Sequence, residues 1–389
     1  MFQALSSKFP QSSRKRALLI EAAIVIGIIV LLLTIVPVSL SYFRLGLLGR
    51  YLALAIVALA IDLIWGYTGL LSLGHGIFFA LGGYALAMHL QLSTAGESLP
   101  EFFGLYGVSE LPWFWKPFYS LPFTLIGLVL IPTIVAGLLG YLVFRNRIRG
   151  VYFSILTQAM LVVFFNFFNG QQKLINGTNG LGTDTTKLFG QLVGGNEMQF
   201  AFYVVTVIFL AVIYALCRWL TSGRFGRMLV AIRDDENRVR FSGYDPTQFK
   251  VLVFAISGGI AGIAGALYSV QSSGITPQSM SIAFSIEMVI WVAVGGRATL
   301  VGAILGTLLV NWAQALLSES FPEVWLFFQG ALFLIVVTVL PDGIVGWLRH
   351  QAPDQIRSIL GRPRESTTYP GLELDPEVQQ EEQVFSEKT

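Results

Sequence analysis

The chain has 389 residues, of which 54% are hydrophobic and 12% charged, with a formal net charge of +2 and a mean hydropathy of +0.68. That is about half the charge of an average soluble domain, too little to cover a water-soluble globule and too apolar for a disordered chain. A single cysteine, Cys217, excludes a disulfide scaffold and a cysteine-built metal site, and the near-neutral balance makes no case for nucleic acid as a partner. The composition is that of an integral membrane protein.

A helix needs about 20 apolar residues to cross a hydrocarbon layer of about 30 Å. Ten runs reach or approach that length: 17–36, 45–65, 75–92, 120–144, 151–168, 200–219, 249–270, 282–294, 299–317 and 325–341. The segment 1–16, with Lys8, Arg14, Lys15 and Arg16, is read as cytoplasmic. The run after it is longer than a signal-peptide core and no small-x-small cleavage site follows, so it reads as an uncleaved first span. Bases accumulate in cytoplasmic loops. The N-terminus, the Arg145–Arg149 connection, the 220–248 segment, Arg297 and Arg349 are all basic, and ten spans place them on one side with both termini inside. Arg44 and Arg50, near the first outer loop, are the exception. The eighth run is short. The expectation is therefore an all-α polytopic membrane bundle of eight to ten transmembrane helices over 17–348. After it comes an acidic segment, 349–389, whose last 39 residues are net −4 and which is read as a solvated, mostly disordered cytoplasmic tail.

Irregular backbone cannot face lipid, so breaks in these runs must sit inside protein. One break is Gly66–Gly76, the other Ser272–Ser281. The segment Phe79–Ala85 after the first lies over Val292–Ala298 after the second, on helices expected to run in opposite directions. Inverted repeats with broken helices are common in transporters, and substrate sites tend to lie at the breaks. Gly258, Gly262 and Ala266, like Gly302 and Gly306, recur four residues apart, a spacing that lets membrane helices approach closely.

The chemistry-bearing residues are few. No G-x-x-x-x-G-K-[ST] motif is present, so this chain does not hydrolyse nucleotide itself. His75, His89 and His350 are the only histidines, and none has zinc-ligand spacing. No catalytic or metal-binding residue is expected. Asp62 and Glu287 are the acids at membrane depth, both near helix ends where an ordinary structural role suffices, so a proton relay is poorly supported. Asn176-Gly177-Thr178 fits a glycosylation pattern that arises often by chance.

The segment 222–248 reads as a cytoplasmic elbow. Phe225, Met228, Leu229 and Ile232 follow i, i+3, i+4, i+7 spacing, one face of a helix. Asp234 is expected to cap a second short helix, with Asp235 and Glu236 in its first turn. Gly243 closes that helix and Asp245-Pro246 starts the next span. An apolar stripe with a basic rim, including Arg233, suits a helix lying on the lipid surface, or a coupling helix inserted into a cleft of an ATPase subunit.

Several separated blocks are familiar: GYTGLLSLGHGIFFALGGYA, GVYFSILTQAM followed by NGTNGLG, GRFGRMLVAIRDDENRVRFSGYDPTQFK, and FAISGGIAGIAGALY. They resemble the permease family of ABC importers for branched-chain amino acids and related small polar solutes, over most of residues 45–341. The Trp113–Tyr119 insertion and the TQAM variant look closest to the second, longer permease subunit of the urea ABC transporter. The resemblance implies a bacterial inner-membrane location, a homologous second permease, two cytoplasmic ATPases that use ATP and magnesium, and a periplasmic solute-binding protein. No cofactor is expected on this chain. Urea is neutral, so its path needs neutral donors and acceptors. Candidates near the breaks are Tyr67, Thr68, Ser72, His75, Tyr84, Gln158, Asn166, Glu287 and Trp291, with Thr68–His75 favoured as a group. Coupling to the ATPases is expected of Phe225, Met228, Leu229, Ile232, Arg233, Asp234, Asp235 and Glu236, and contact with the binding protein of Thr178 and Asn179. The alternatives are a branched-chain amino acid permease of the same family, a passive urea or ammonia channel, and a secondary carrier.

Overall fold

The computed structural model describes residues 11–320 and 343–350, with positions 327, 328, 330, 331, 334 and 338 between them. Most of the tenth apolar run and the acidic tail from residue 351 lie outside the described residues. Helices α1 (Gln11–Ser39), α2 (Tyr42–Thr68), α3 (His75–Ala95), α4 (Leu121–Arg145), α5 (Val151–Gly170) and α6 (Asn196–Ser222) lead to the elbow helices α7 (Arg224–Asp234) and α8 (Glu236–Phe241). After these come α9 (Pro246–Gln271), α10 (Ile282–Gly295), α11 (Leu300–Ser320) and α12 (Gly343–His350). Four two-residue strands, β1 (Leu181–Gly182), β2 (Lys187–Leu188), β3 (Gln191–Leu192) and β4 (Gly274–Ile275), lie in loops.

Among the described residues, seven helices (α2, α3, α4, α5, α6, α9 and α11) are long and apolar enough to cross a bilayer, and Val25–Ser39 and α10 are shorter apolar helices. At 14 residues, α10 is about 21 Å long, less than the hydrocarbon thickness. The helical membrane bundle expected from the sequence is what the structure shows, with only four two-residue strands in its loops.

Local chemistry sets the helix ends. Gly69 closes α2 in the left-handed conformation, φ 73°, its N–H donating to the Trp65 carbonyl as a C-terminal glycine does. Asp245 caps α9 by accepting from Thr247 N at 3.0 Å, with Pro246 in the first helical turn, where its missing N–H costs nothing. Ser281 caps α10 by accepting from Phe284 N at 3.2 Å.

The centre of the bundle is α2, α3 and α9. Helix α9 packs on α2, α3 and α4, while α2 also meets α6 and α11. Small residues make this closeness achievable: a methyl group at Gly82 of α3 would collide with the Gly262 carbonyl of α9, and one at Gly265 with the Phe79 carbonyl. Outer helices turn large apolar side chains outward, such as Leu138 on α4, Val163 on α5 and Val212 on α6, as a lipid-facing surface does.

The likeness between Phe79–Ala85 and Val292–Ala298 does not reflect equivalent places in the fold. Phe79–Ala85 lies within α3, whereas Val292–Gly295 ends α10 and Gly296–Ala298 turn beyond it. Both glycine pairs instead serve close packing, Gly295 meeting Gly302 of α11.

The two ends of the bundle differ in charge. At one end, Arg149 from the α4–α5 connection pairs with Glu236 of the elbow at 3.2 Å, Arg233 reaches the end of α2, and Arg297 after α10 lies over the Trp65 ring at 5.2 Å. Three of the basic segments that charge placement assigned to one side, the Arg145–Arg149 connection, the elbow and Arg297, therefore meet at one face. The opposite face holds the 96–120, 171–195 and 272–281 loops, joined by bonds such as Trp115 Nε1 to the Leu174 carbonyl at 3.1 Å.

Candidate functional site

On that opposite face, the second break and the Asn176–Gly182 loop form one unit. Strand β1 pairs antiparallel with β4, Leu181 opposite Ile275 and Gly182 opposite Gly274. Thr183 reinforces the junction, donating from its N–H to the Ser273 carbonyl at 3.0 Å and from its hydroxyl to the Ser269 carbonyl at 2.8 Å. Glycine is required at the contact: Gly180 has φ 70°, and a side chain there would strike the Ile275 carbonyl. Between the two segments lies a cavity of about 280 Å³, walled by Asn179, Leu181, Tyr268, Ser272–Thr276, Gln278, Ser279 and Phe284. No charged side chain lines it.

On the basic face, α7 lies across the ends of α2, α6 and α9. Leu229 and Ile232 are buried, and the Phe225 ring sits 6.2 Å from that of Phe249. The apolar stripe thus faces the bundle, a correction to its expected outward insertion. The i, i+3, i+4, i+7 spacing marks an apolar face but not what covers it, and here the helix ends do. Arg233 Nη1 donates to the Gly66 carbonyl at 2.8 Å and its Nε to Asp234 at 3.3 Å.

Asp234 does not cap the second elbow helix. It ends α7, and Asp235 caps α8 by accepting from Asn237 N at 2.9 Å and Arg238 N at 3.1 Å. Ser242 follows as the C-cap and Gly243, φ 84°, turns the chain as expected. Glu236 is not an outward charge but the centre of a cluster. It accepts from Lys250 Nζ at 2.5 Å and from Arg240 at 2.8 Å, beside Arg149. Burial opposes its ionisation, but the hydrogen bonds from Lys250 and Arg240 and the charges of Lys250 and Arg149 hold the carboxyl below its ordinary range. The elbow's outward surface is instead Phe241, 92% exposed, and Tyr244, 53% exposed, flanked by the exposed Arg238. Neither aromatic lies on the stripe, and their only sequence signal was an aromatic beside a turn.

The path candidates scatter. Thr68, Ser72 and His75 are buried at the first break. Thr68 Oγ1 donates to the Ile64 carbonyl at 2.6 Å and Ser72 Oγ accepts from Gly74 N at 3.3 Å. His75 Nε2 lies 2.6 Å from Ser257 Oγ, which donates to the Ala60 carbonyl at 2.7 Å, so this chain of bonds ties α3, α9 and α2 together. Tyr67 is partly buried beside this turn. Tyr84 packs on Phe168 and Trp291 on Phe284. Gln158 and Asn166 stand on the outlying α5, and Glu287 is half-buried on α10. Asp62 is structural, its Oδ1 accepting from Ala298 N at 2.7 Å to hold the α10–α11 turn. Among the described residues no group of acids, histidines and cysteine is placed to hold a metal ion.

Residues 43–337 match the family model described as branched-chain amino acid transport system / permease component. The chain is similar to the high-affinity branched-chain amino acid transport system permease protein LivM of Salmonella typhimurium, 27% identical over 318 residues that cover 76% of this chain and 68% of that one. It is 26% identical to the permease protein LivH of Escherichia coli over 309 residues, 75% of this chain and 91% of LivH. The ribose import permease protein RbsC of Haemophilus influenzae is 21% identical over 225 residues, covering 56% and 67% of the two chains. No solved structure matches.

Proposed function

Because the chain belongs to the permease family of branched-chain amino acid transport systems, we propose that it is one of two membrane-spanning subunits of an ATP-driven importer of branched-chain amino acids. The observation that carries this reading is the family match over 43–337. Urea, the solute suggested by sequence resemblance, gives way as first reading because the family and the LivM and LivH relatives are named for branched-chain amino acids.

The likeness to both LivM and LivH supports a homologous second permease as partner. Two ATPases would dock on the basic face, so the elbow would lie in the cytoplasm, where the charge of the sequence argues for both termini as well, and a periplasmic binding protein would meet the opposite face. The contact offered to the ATPases is Phe241 and Tyr244 with Arg238. Closure of the ATPases then pulls on the elbow, and Arg233 passes that movement to α2 through the Gly66 carbonyl. Energy comes from the partners, and this chain transports rather than catalyses.

Urea remains the second reading, favoured by the cavity's lining of neutral donors and acceptors, which suits a neutral solute. A passive channel or secondary carrier would have no use for an elbow bolted to a membrane helix. The test is uptake by the reconstituted complex with labelled leucine and urea. ATP-dependent leucine uptake is expected. Urea uptake without leucine uptake would transfer the assignment to urea, and solute flux independent of ATP would remove the importer reading.

A further inference from the structure

We infer that the cavity between Asn179–Gly182 and Ser272–Phe284 is a binding site for the transported solute, an aliphatic amino acid held as its zwitterion. The inference rests on the amino-acid reading above. At about 280 Å³ the cavity is close to the lower end of small-molecule sites, about 300 Å³.

Its backbone groups are largely paired and Ser272 Oγ donates to the Gly274 carbonyl, but several of its polar side chains are unspent. The side chains of Asn179, Thr276, Gln278 and Ser279 and the Tyr268 hydroxyl have no hydrogen-bond partner among the described residues. Several threonine hydroxyls elsewhere in the spans are consumed locally, as where Thr133 and Thr307 donate to the carbonyl four residues back. Polar side chains converging on a cavity without internal partners are paired by water or by a ligand.

The electrostatics select the ligand's class. With no charged side chain in the wall, a net charge on the ligand would go unmatched, so the ligand is neutral overall. Two helix poles of opposite sign meet there: α9 ends at Gln271, beside the lining residue Ser272, and α10 begins at Ile282, with Phe284 of its first turn in the wall. Ser281 caps only the Phe284 N–H, leaving the preceding donors of α10 for an acceptor. A helix C-terminus favours an ammonium and an N-terminus a carboxylate; in α9 the Tyr268, Ser269 and Val270 carbonyls already accept from Ser272 N, Thr183 Oγ1 and Gln199 Nε2, so the pole acts through its field and the Gln271 carbonyl. Opposite them, Leu181, Ile275 and the Phe284 ring, 6.4 Å from that of Tyr268, form an apolar wall for an aliphatic side chain. On the same helix α10, Ser285 Oγ and Trp291 Nε1 are buried without partners, so polar stations continue inward from the cavity.

The test uses the full-length chain with its co-purifying permease and ATPase subunits in nanodiscs, without binding protein or nucleotide. Equilibrium binding of labelled leucine is measured for the parent, for Asn179→Ala with Gln278→Ala, and for Ser279→Trp. The exposed alanine pair removes two hydrogen-bond partners and weakens binding about tenfold, with the KM of uptake rising and kcat spared. Ser279→Trp fills the cavity and abolishes binding. Complex assembly and basal ATP hydrolysis report folding, and the surface alanine pair keeps the test decisive if the tryptophan variant fails to assemble. Parent-like leucine binding in the alanine pair, in a complex that imports leucine, would overturn the site and leave the transport reading standing. A parent complex that neither binds nor imports leucine would overturn both.

Discussion

Arg233 donates from Nη1 to the Gly66 carbonyl at 2.8 Å, so the elbow grips the last turn of α2 just before the Gly69 turn. Carbonyls in a helix's last turn have no partner within the helix, and a cation there also complements the negative pole. Replacing Arg233 with alanine removes a charge-assisted bond of about 1.5–3 kcal/mol. Solute transported per ATP hydrolysed should fall at least tenfold while ATP hydrolysis by the complex persists. Arg233→Lys should recover only part of the coupling, because an ammonium lacks the planar fork. An unchanged ratio in Arg233→Ala would remove the elbow from the transmission path.

Glu236 holds Lys250, whose side chain is only 5% exposed. Glu236→Ala strands that charge, at a cost of about 3 kcal/mol, and should lower the thermal midpoint of the purified complex by several degrees. Adding Lys250→Met should restore most of the loss, since removing both partners of a buried pair costs far less than removing one. Additive effects of the two substitutions would show that the groups do not interact.

The same carboxylate sets a pH dependence. Its folded-state ionisation lies below the ordinary carboxylate range, so its stabilisation is complete above the unfolded value of about 4.3 and is lost as pH falls through the lower folded-state value. Hydrogen exchange in 224–241 should therefore be constant from pH 8 to about 5, after correction for intrinsic rates, and accelerate only in stronger acid. Loss of protection near pH 6 would point to a different titrating group.

Two glycines separate packing from permissiveness. Gly262→Val would force a side chain into the Leu128 carbonyl and Pro132 of α4 and should prevent accumulation of folded protein. Gly170→Ala, at the end of α5 with nothing within 4 Å, should be neutral. Detergent-solubilised yield by size-exclusion chromatography measures both.

Phe241→Ser should leave the thermal midpoint of the isolated permease unchanged, since the ring is 92% exposed, yet reduce co-purification of the ATPases about tenfold. Phe225→Ala should do the reverse, because that ring packs against Phe249. If Phe241→Ser retains the ATPases in full, the docking surface lies elsewhere on the basic face.

The solvent and the plan of this protein are written in the amino-acid order. Apolar runs of membrane length demand helices, because hydrocarbon leaves backbone groups no other partners, and the placement of Arg149, Arg233 and Arg297 marked one face. Its two breaks were equally visible, since glycine and proline interrupt helices wherever they stand. Which break stays open depends on how distant segments pack. Thr68, Ser72 and His75 at the first are closed in by α2, α3 and α9, while Asn179 and Gln278, far apart in the chain, share a cavity because β1 pairs with β4. Such packing likewise turned Leu229 and Ile232 inward and Phe241 outward. Periodicity reports which residues share a face, but burial is a property of the partner that covers it, and that partner comes from distant parts of the chain.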